Sequence, residues 1–192
     1  GSNSGEGVGN SFLGDIRNTD ALIHVLRCFD DENLPHIEGS VDPVRDKEIV
    51  DFELQFKDLE SIEKKILKTE KLIKAGEKDA KKAMEALLVY KSHIESMQPA
   101  RTVPLDEAGR KYAADMFLLT DKPVMYVCNV DDKSAINGNA YVDKVKEAVK
   151  HENTEVLVIA AALEAEIAEL DSEEDRITFL SDIGLIEPGV NF

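Results

Sequence analysis

Pro123-Val-Met-Tyr-Val-Cys-Asn-Val130 and Glu155-Val-Leu-Val-Ile-Ala160 decide the fold class of this chain. Each is a short apolar run rich in β-branched residues and bounded by polar ones, so each reads as a buried strand. Between them, residues 141–151 carry Val142, Val145 and Val149 at helical spacing. Strand, helix and strand in succession form the pattern of an α/β unit with parallel pairing. Toward the N-terminus, Ala21-Leu-Ile-His-Val-Leu-Arg-Cys-Phe29 is a third run, almost unbroken in its apolar character, as strands covered on both faces are. Beyond residue 160, the stretches 163–170 and 171–183 read as two helices. Three visible strands are few for the helices around them. Gly1-Ser2 also stands where an initiator Met would be. Both features read as a piece of a longer protein.

The stretch from Pro43 to Met97 is helical. Leu59, Ile62, Ile66, Thr69 and Ile73 recur at alternating intervals of three and four, and so do Ala80, Ala83, Leu87, Tyr90, Ile94 and Met97. That is the seam of a coiled coil, and Gly76 between the halves marks a reversal. The prediction is an antiparallel helical hairpin inserted between sheet strands. After it, Pro99 and Pro104 mark a loop, and Asp106 is a candidate N-cap for a short helix. The expected division is 1–42 and 120–192 for a partial α/β domain, with 43–119 as the helical coiled-coil insertion.

Composition narrows the function. With 23 basic and 39 acidic residues the formal charge is −16, which argues against general binding to nucleic acid or anionic membranes. No apolar run is long enough to span a bilayer, and no signal peptide is recognisable. Cys28 and Cys128 sit in apolar runs and read as reduced, buried thiols of a cytosolic protein. Two cysteines and four scattered histidines do not give the usual zinc spacing. The hairpin departs from the average charge: residues 57–82 hold nine lysines against six carboxylates. A basic tip carrying Lys71, Lys74 and Lys78 could meet RNA phosphate; the alternative is a solvated face laced with pairs such as Glu60–Lys64.

Asn129-Val-Asp-Asp132 directly follows a predicted strand, and in open α/β sheets ligands bind at the carboxyl ends of strands. An Asn that orients the loop, with a carboxylate three residues on, is how P-loop nucleotide hydrolases read a base. The carboxylate accepts from the two donors of guanine, whereas adenine is read through backbone groups. Asn and Asp also end strands simply as turn formers. Ala160, Ala161 and Ala162 follow the next strand and allow a flat ring to approach backbone, or a helix to pack closely. His36, in a loop after the first strand, is a candidate general base or water-positioning group, or an inert surface residue. His24 reads as a satisfied core residue, and His93 and His151 as exposed. Gly5-Glu-Gly-Val-Gly-Asn10 matches neither the dinucleotide fingerprint nor a P-loop and reads as a helix entry.

Taken together, Gly5-Glu-Gly-Val-Gly-Asn-Ser-Phe-Leu13, Ile16-Arg-Asn-Thr-Asp-Ala21 and His24-Val-Leu-Arg-Cys-Phe29 closely resemble the YchF (Obg-like) ATPase family. The likeness continues at His36, Gly39 and Asp42-Pro43. It resumes at Phe117-Leu-Leu-Thr-Asp-Lys-Pro-Val-Met-Tyr126, Asn129-Val-Asp-Asp132, Ala165-Glu-Ile-Ala-Glu-Leu170 and Gly184-Leu-Ile-Glu-Pro-Gly-Val-Asn191. The resemblance implies a P-loop GTPase-type α/β domain, here partial, with an inserted antiparallel coiled-coil hairpin. It implies that the full-length parent uses ATP (or GTP) with Mg²⁺, and that its partner is the ribosome or ribosomal RNA, not DNA or a membrane. It places His36 in the hydrolytic role. It places Asn129, Val130, Asp132, Ala160, Ala161 and Ala162 around the base. Asp132 stands where the family usually has Glu and matches the GTPase form, so ATP against GTP stays open. The P-loop, the Mg²⁺-holding switch residues and the family's C-terminal TGS domain do not occur in these 192 residues. The isolated chain is therefore expected to hold no nucleotide and to hydrolyse none. A non-enzymatic reading, in which the hairpin docks on RNA or protein through its lysine tip, is the alternative.

Overall fold

A computed structural model describes residues 16–30, 40–160, 177–181 and 184–185, the last two segments as backbone only. The chain divides into two compact units, residues 1–49 with 123–192 and residues 50–122.

The first unit is an α/β sheet. Strands β1 (Ala21–Arg27), β2 (Val124–Val130), β3 (Val156–Ala160), β4 (Ile177–Ser181) and β5 (Gly184–Leu185) lie in the order β3-β2-β1-β4-β5. β1 pairs in parallel with both β2 and β4, β2 pairs in parallel with β3, and β5 is antiparallel to β4. The period-two alternation of strand side chains divides the core. On one face Leu26, Cys28, Tyr126, Cys128 and Val130 meet Val142, Val145 and Val149 of helix α4 (Ala140–Val149). On the other, Ile23, Val25 and Val127 pack together with Met125 and Ile159. A strand buried on both faces has no polar face to show, which is why the β1 run contains so few breaks in its apolar character.

One expectation fails here. The stretch 171–183 contains a strand, β4, rather than a helix. Its acidic start, Asp171-Ser-Glu-Glu-Asp175, is what opens a helix well. Ile177-Thr-Phe-Leu180 is too short for periodicity to decide, and β1 offers it a ladder from Ala21↔Ile177 to Val25↔Ser181. The sheet accordingly has five described strands where three were visible. His24 needs a second correction. It is buried as expected, but its Nε2 has no hydrogen-bond partner among the described residues.

The second unit is built on helices. Helix α1 (Pro43–Lys74) starts with Asp42 Oδ1 accepting from Arg45 N at 3.1 Å. It stops in a Schellman arrangement: Gly76 N donates to Ile73 O, Glu77 N donates to Leu72 O, and Gly76 has φ +75°. Helix α2 (Ala80–Glu95) then runs back along α1. Ile62, Tyr90 and Ile94 are buried with Ala100, Val103, Ala113 and Leu118, flanked by Leu59, Ile66 and Val89. The predicted seam thus faces inward. Thr69 joins it because its hydroxyl donates back to Lys65 O at 2.7 Å. Met97 does not join it and stays 54% exposed, since the helix has ended two residues earlier. Helix α3 (Glu107–Arg110) has Asp106 as its N-cap, the carboxylate accepting from Gly109 N at 2.9 Å.

Asp58, counted by sequence with the charges of the hairpin, is 1% exposed. It accepts from Leu119 N (2.7 Å), Thr120 N (2.8 Å) and Thr120 Oγ1 (2.6 Å), tying α1 to a segment about 60 residues away in sequence.

Candidate functional site

The carboxyl ends of β1, β2 and β3 lie side by side. Arg27 is in register with Asn129, and Val130 with Ala160. Asn129 is buried and Ala160 half-buried. Val130 is fully buried among the residues that meet α4, so only its backbone can face a ligand. After β2 the chain turns into a short 3₁₀ segment, Asp132–Ser134. Asp131 caps it, its carboxylate accepting from Ser134 N at 3.0 Å. Hydrogen bonding to Ser134, first from its side chain and then from its backbone, holds the Asp131 carboxyl below the usual range. The neighbouring Asp132 is exposed. Two adjacent carboxylates therefore have different tasks, one shaping the loop and the other presented by it.

The loop returns to the sheet at Gly138-Asn139. Gly138 N donates to Ser134 O at 2.8 Å, and Gly138 has φ +73°, a conformation that side chains strain to adopt. Asn139 is the N-cap of α4, its Oδ1 accepting from Val142 N at 3.0 Å, while its Nδ2 donates to Cys28 O at 2.8 Å. Cys28 N donates to Asn129 O at 2.7 Å. Tyr141 Oη donates to Asp30 Oδ1 at 2.8 Å, which pushes the phenol upward. Arg27 is buried and lies over the Phe29 ring, 5.1 Å from its centroid. Cys28 and Cys128 are fully buried thiols outside any disulfide, and the hydrogen bond to Cys28 lowers the Cys128 thiol.

Of the residues singled out by sequence, the fold brings Asn129, Val130, Asp132 and Ala160 to one sheet edge. Ala161, Ala162 and His36 lie outside the described residues. Lys71, Lys74 and Lys78 are exposed and belong to the helical unit. The edge presents an exposed carboxylate at Asp132, a buried side chain at Val130 and a small residue at Ala160. Among the described residues no cluster of three His, Cys, Asp or Glu side chains could hold a metal ion. Sequence reading missed Asn139. Its place just before the Val142, Val145, Val149 stripe was a legible capping signal, but its bond to Cys28 was not.

No protein-family model matches the chain. The ribosome-binding ATPase YchF of Bacillus subtilis is 43% identical to it over 193 residues, which covers 100% of this chain and 52% of that protein. The chain is homologous to YchF-type proteins from end to end. The YchF of Haemophilus influenzae, also described as a ribosome-binding ATPase, is 40% identical over 191 residues with the same coverage. A solved structure, the YchF GTPase of Schizosaccharomyces pombe, matches with a TM-score of 0.70 at 28% identity, over 87% of this chain and 46% of that one. The chain spans about half the length of the curated relatives it matches. The α/β sheet with an inserted helical segment, expected from the resemblance, is the YchF fold over that half. No described helix is long and apolar enough to cross a membrane.

Proposed function

We propose that this chain supplies the base-binding side of a nucleotide site in a YchF-type nucleoside triphosphatase that works on the ribosome in the cytoplasm. The supporting observation is the convergence of Asn129, Asp132 and Ala160 at the carboxyl edge of neighbouring parallel strands. Asn129 orients the loop, Asp132 offers its carboxylate to the base, and Ala160 to Ala162 form the floor against which the ring lies. His36 positions the attacking water in the complete protein. ATP (or GTP) is the ligand of that protein, as the names of the relatives support, and Mg²⁺ accompanies it in this reading. Phosphate binding and transition-state charge stabilisation come from a P-loop and Mg²⁺, and no Gly-Lys-Ser/Thr motif occurs in this sequence, so the chain alone is not expected to turn over nucleotide.

Equilibrium binding of fluorescent ATP and GTP analogues with Mg²⁺ tests this reading, using this chain and one extended to the length of its relatives. Only the extended chain should bind. In it, Asp132→Ala should weaken GTP at least about tenfold, the loss of a hydrogen bond to a charged group, and ATP less than about threefold. Equal effects on both nucleotides, or none on GTP, would remove Asp132 from base reading.

A second reading concerns the hairpin, whose coiled-coil seam and exposed Lys71, Lys74 and Lys78 support docking on ribosomal RNA. Reversing these three charges to Glu should weaken ribosome binding and flatten its dependence on log salt by about 2 to 3. An unchanged slope would place the contact elsewhere.

A further inference from the structure

Asn129 and Asn139 bracket the loop that carries Asp131 and Asp132, and both are fastened to one residue. Cys28 donates its N–H to Asn129 O at 2.7 Å and accepts at its carbonyl from Asn139 Nδ2 at 2.8 Å. The first bond continues the β1–β2 ladder. The second is made by a side chain 111 residues away in sequence and closes the loop into a ring through the Cys28 peptide. Inside that ring, Asp131 caps Ser134 and Ser134 O accepts from Gly138 N, so the path from Asn129 to Asn139 is bonded at each step.

We infer that Asn139 is a positioning residue for base recognition: its carboxamide, by tethering the far end of the loop to Cys28, sets where Asp132 is presented. The inference rests on the base-reading assignment above. The side chain is suited to two tasks at once. Its oxygen caps α4 at Val142 N, and its nitrogen holds the tether. Ser and Asp both cap helices well, but neither donates from a position equivalent to Nδ2. Asp goes further and sets a carboxylate against the Cys28 carbonyl. Asn139→Ser and Asn139→Asp therefore keep the cap and remove the tether.

Two measurements test this. In the 192-residue chain, both variants should speed hydrogen exchange at the Ser134 and Gly138 amides at least about tenfold while leaving the Val142 amide protected. In the chain extended to its relatives' length, both should weaken GTP about as much as Asp132→Ala does, with inorganic tripolyphosphate binding unchanged. A residue that only caps α4 would leave both readouts at their original values in both variants. Unchanged loop exchange overturns the tether. Faster loop exchange with unchanged GTP affinity overturns its role in recognition. If Asp132→Ala itself has no effect on GTP, the base-reading assignment fails and takes this inference with it, whereas the exchange result still reports the tether.

Discussion

Asp58→Ala is expected to lower the unfolding free energy of the helical unit by about 3 to 5 kcal/mol, the range for removing one partner of a buried charged network. Asp58 is 1% exposed and accepts three hydrogen bonds, from Leu119 N, Thr120 N and Thr120 Oγ1. Alanine leaves two buried amides facing a cavity, and desolvated donors without acceptors are what make such changes expensive. Further bonds depend on the same segment: Thr120 Oγ1 accepts from Ala100 N at 2.8 Å, and Arg101 donates to the carbonyls of Thr120 and Lys122. Asp58→Asn keeps the shape and one acceptor oxygen but turns a donor toward another donor, so its effect should be intermediate. Urea unfolding followed by far-UV circular dichroism gives the comparison. A loss below about 1 kcal/mol for Asp58→Ala, the net worth of one ordinary hydrogen bond, would mean that the clamp is replaced by water.

Acidification is expected to destabilise the sheet unit through His24, and His24→Phe to remove that part of the loss. The imidazole is 1% exposed, and its pKa is lowered to about 3, first by burial and then by the nearby Lys47, with Glu152 opposing. The groups around it are mutually engaged. Lys47 pairs with Glu152 at 3.3 Å and stands 5.6 Å from the Tyr126 ring centroid, and Tyr126 Oη donates to Glu152 Oε1 at 2.7 Å. The Tyr126 ring lies 5.8 Å from the imidazole, and no group among the described residues bonds Nε2. Because the folded-state pKa is depressed, the unfolded chain binds the extra proton. The stability is fully present above pH 6.5 and is lost as the pH falls toward about 3. At pH 5 the loss from this group alone is about 2 kcal/mol relative to neutral pH. Phenylalanine fills nearly the same space and has no proton to take up. The difference in stability between the original chain and the variant should therefore shift by that amount between pH 7 and 5. A difference independent of pH would show that the folded chain protonates His24 as readily as the unfolded chain does, so that burial does not depress it.

Much of this molecule was legible in its residues because the signals are local. Ala21–Arg27 and Val124–Val130 declare themselves through unbroken apolar character, and the hairpin through intervals of three and four around Gly76. Asp106 announced its own cap. The Asn129 to Asp132 motif and the alanines from 160 onward were visible as candidates, and homology to YchF-type proteins extends along the same residues. What failed had the opposite character. The strand at Ile177–Ser181 is too short for its period to be read and exists because β1 pairs with it. Asp58 looked like one more charge on a lysine-rich helix, and His24 like a satisfied core residue. Their true states depend on backbone amides and charges brought in from distant segments.

By itself, then, the sequence determined the periodicities, caps and turn residues, because a strand or helix face is specified within a few residues of chain. Only the tertiary structure decided which groups are buried together and which are held to one another. Cys28 holds both ends of the Asp132 loop, the Asn139 end through a contact 111 residues long in sequence, and no local pattern encodes a hydrogen bond whose partners meet only when the sheet and helix α4 are assembled.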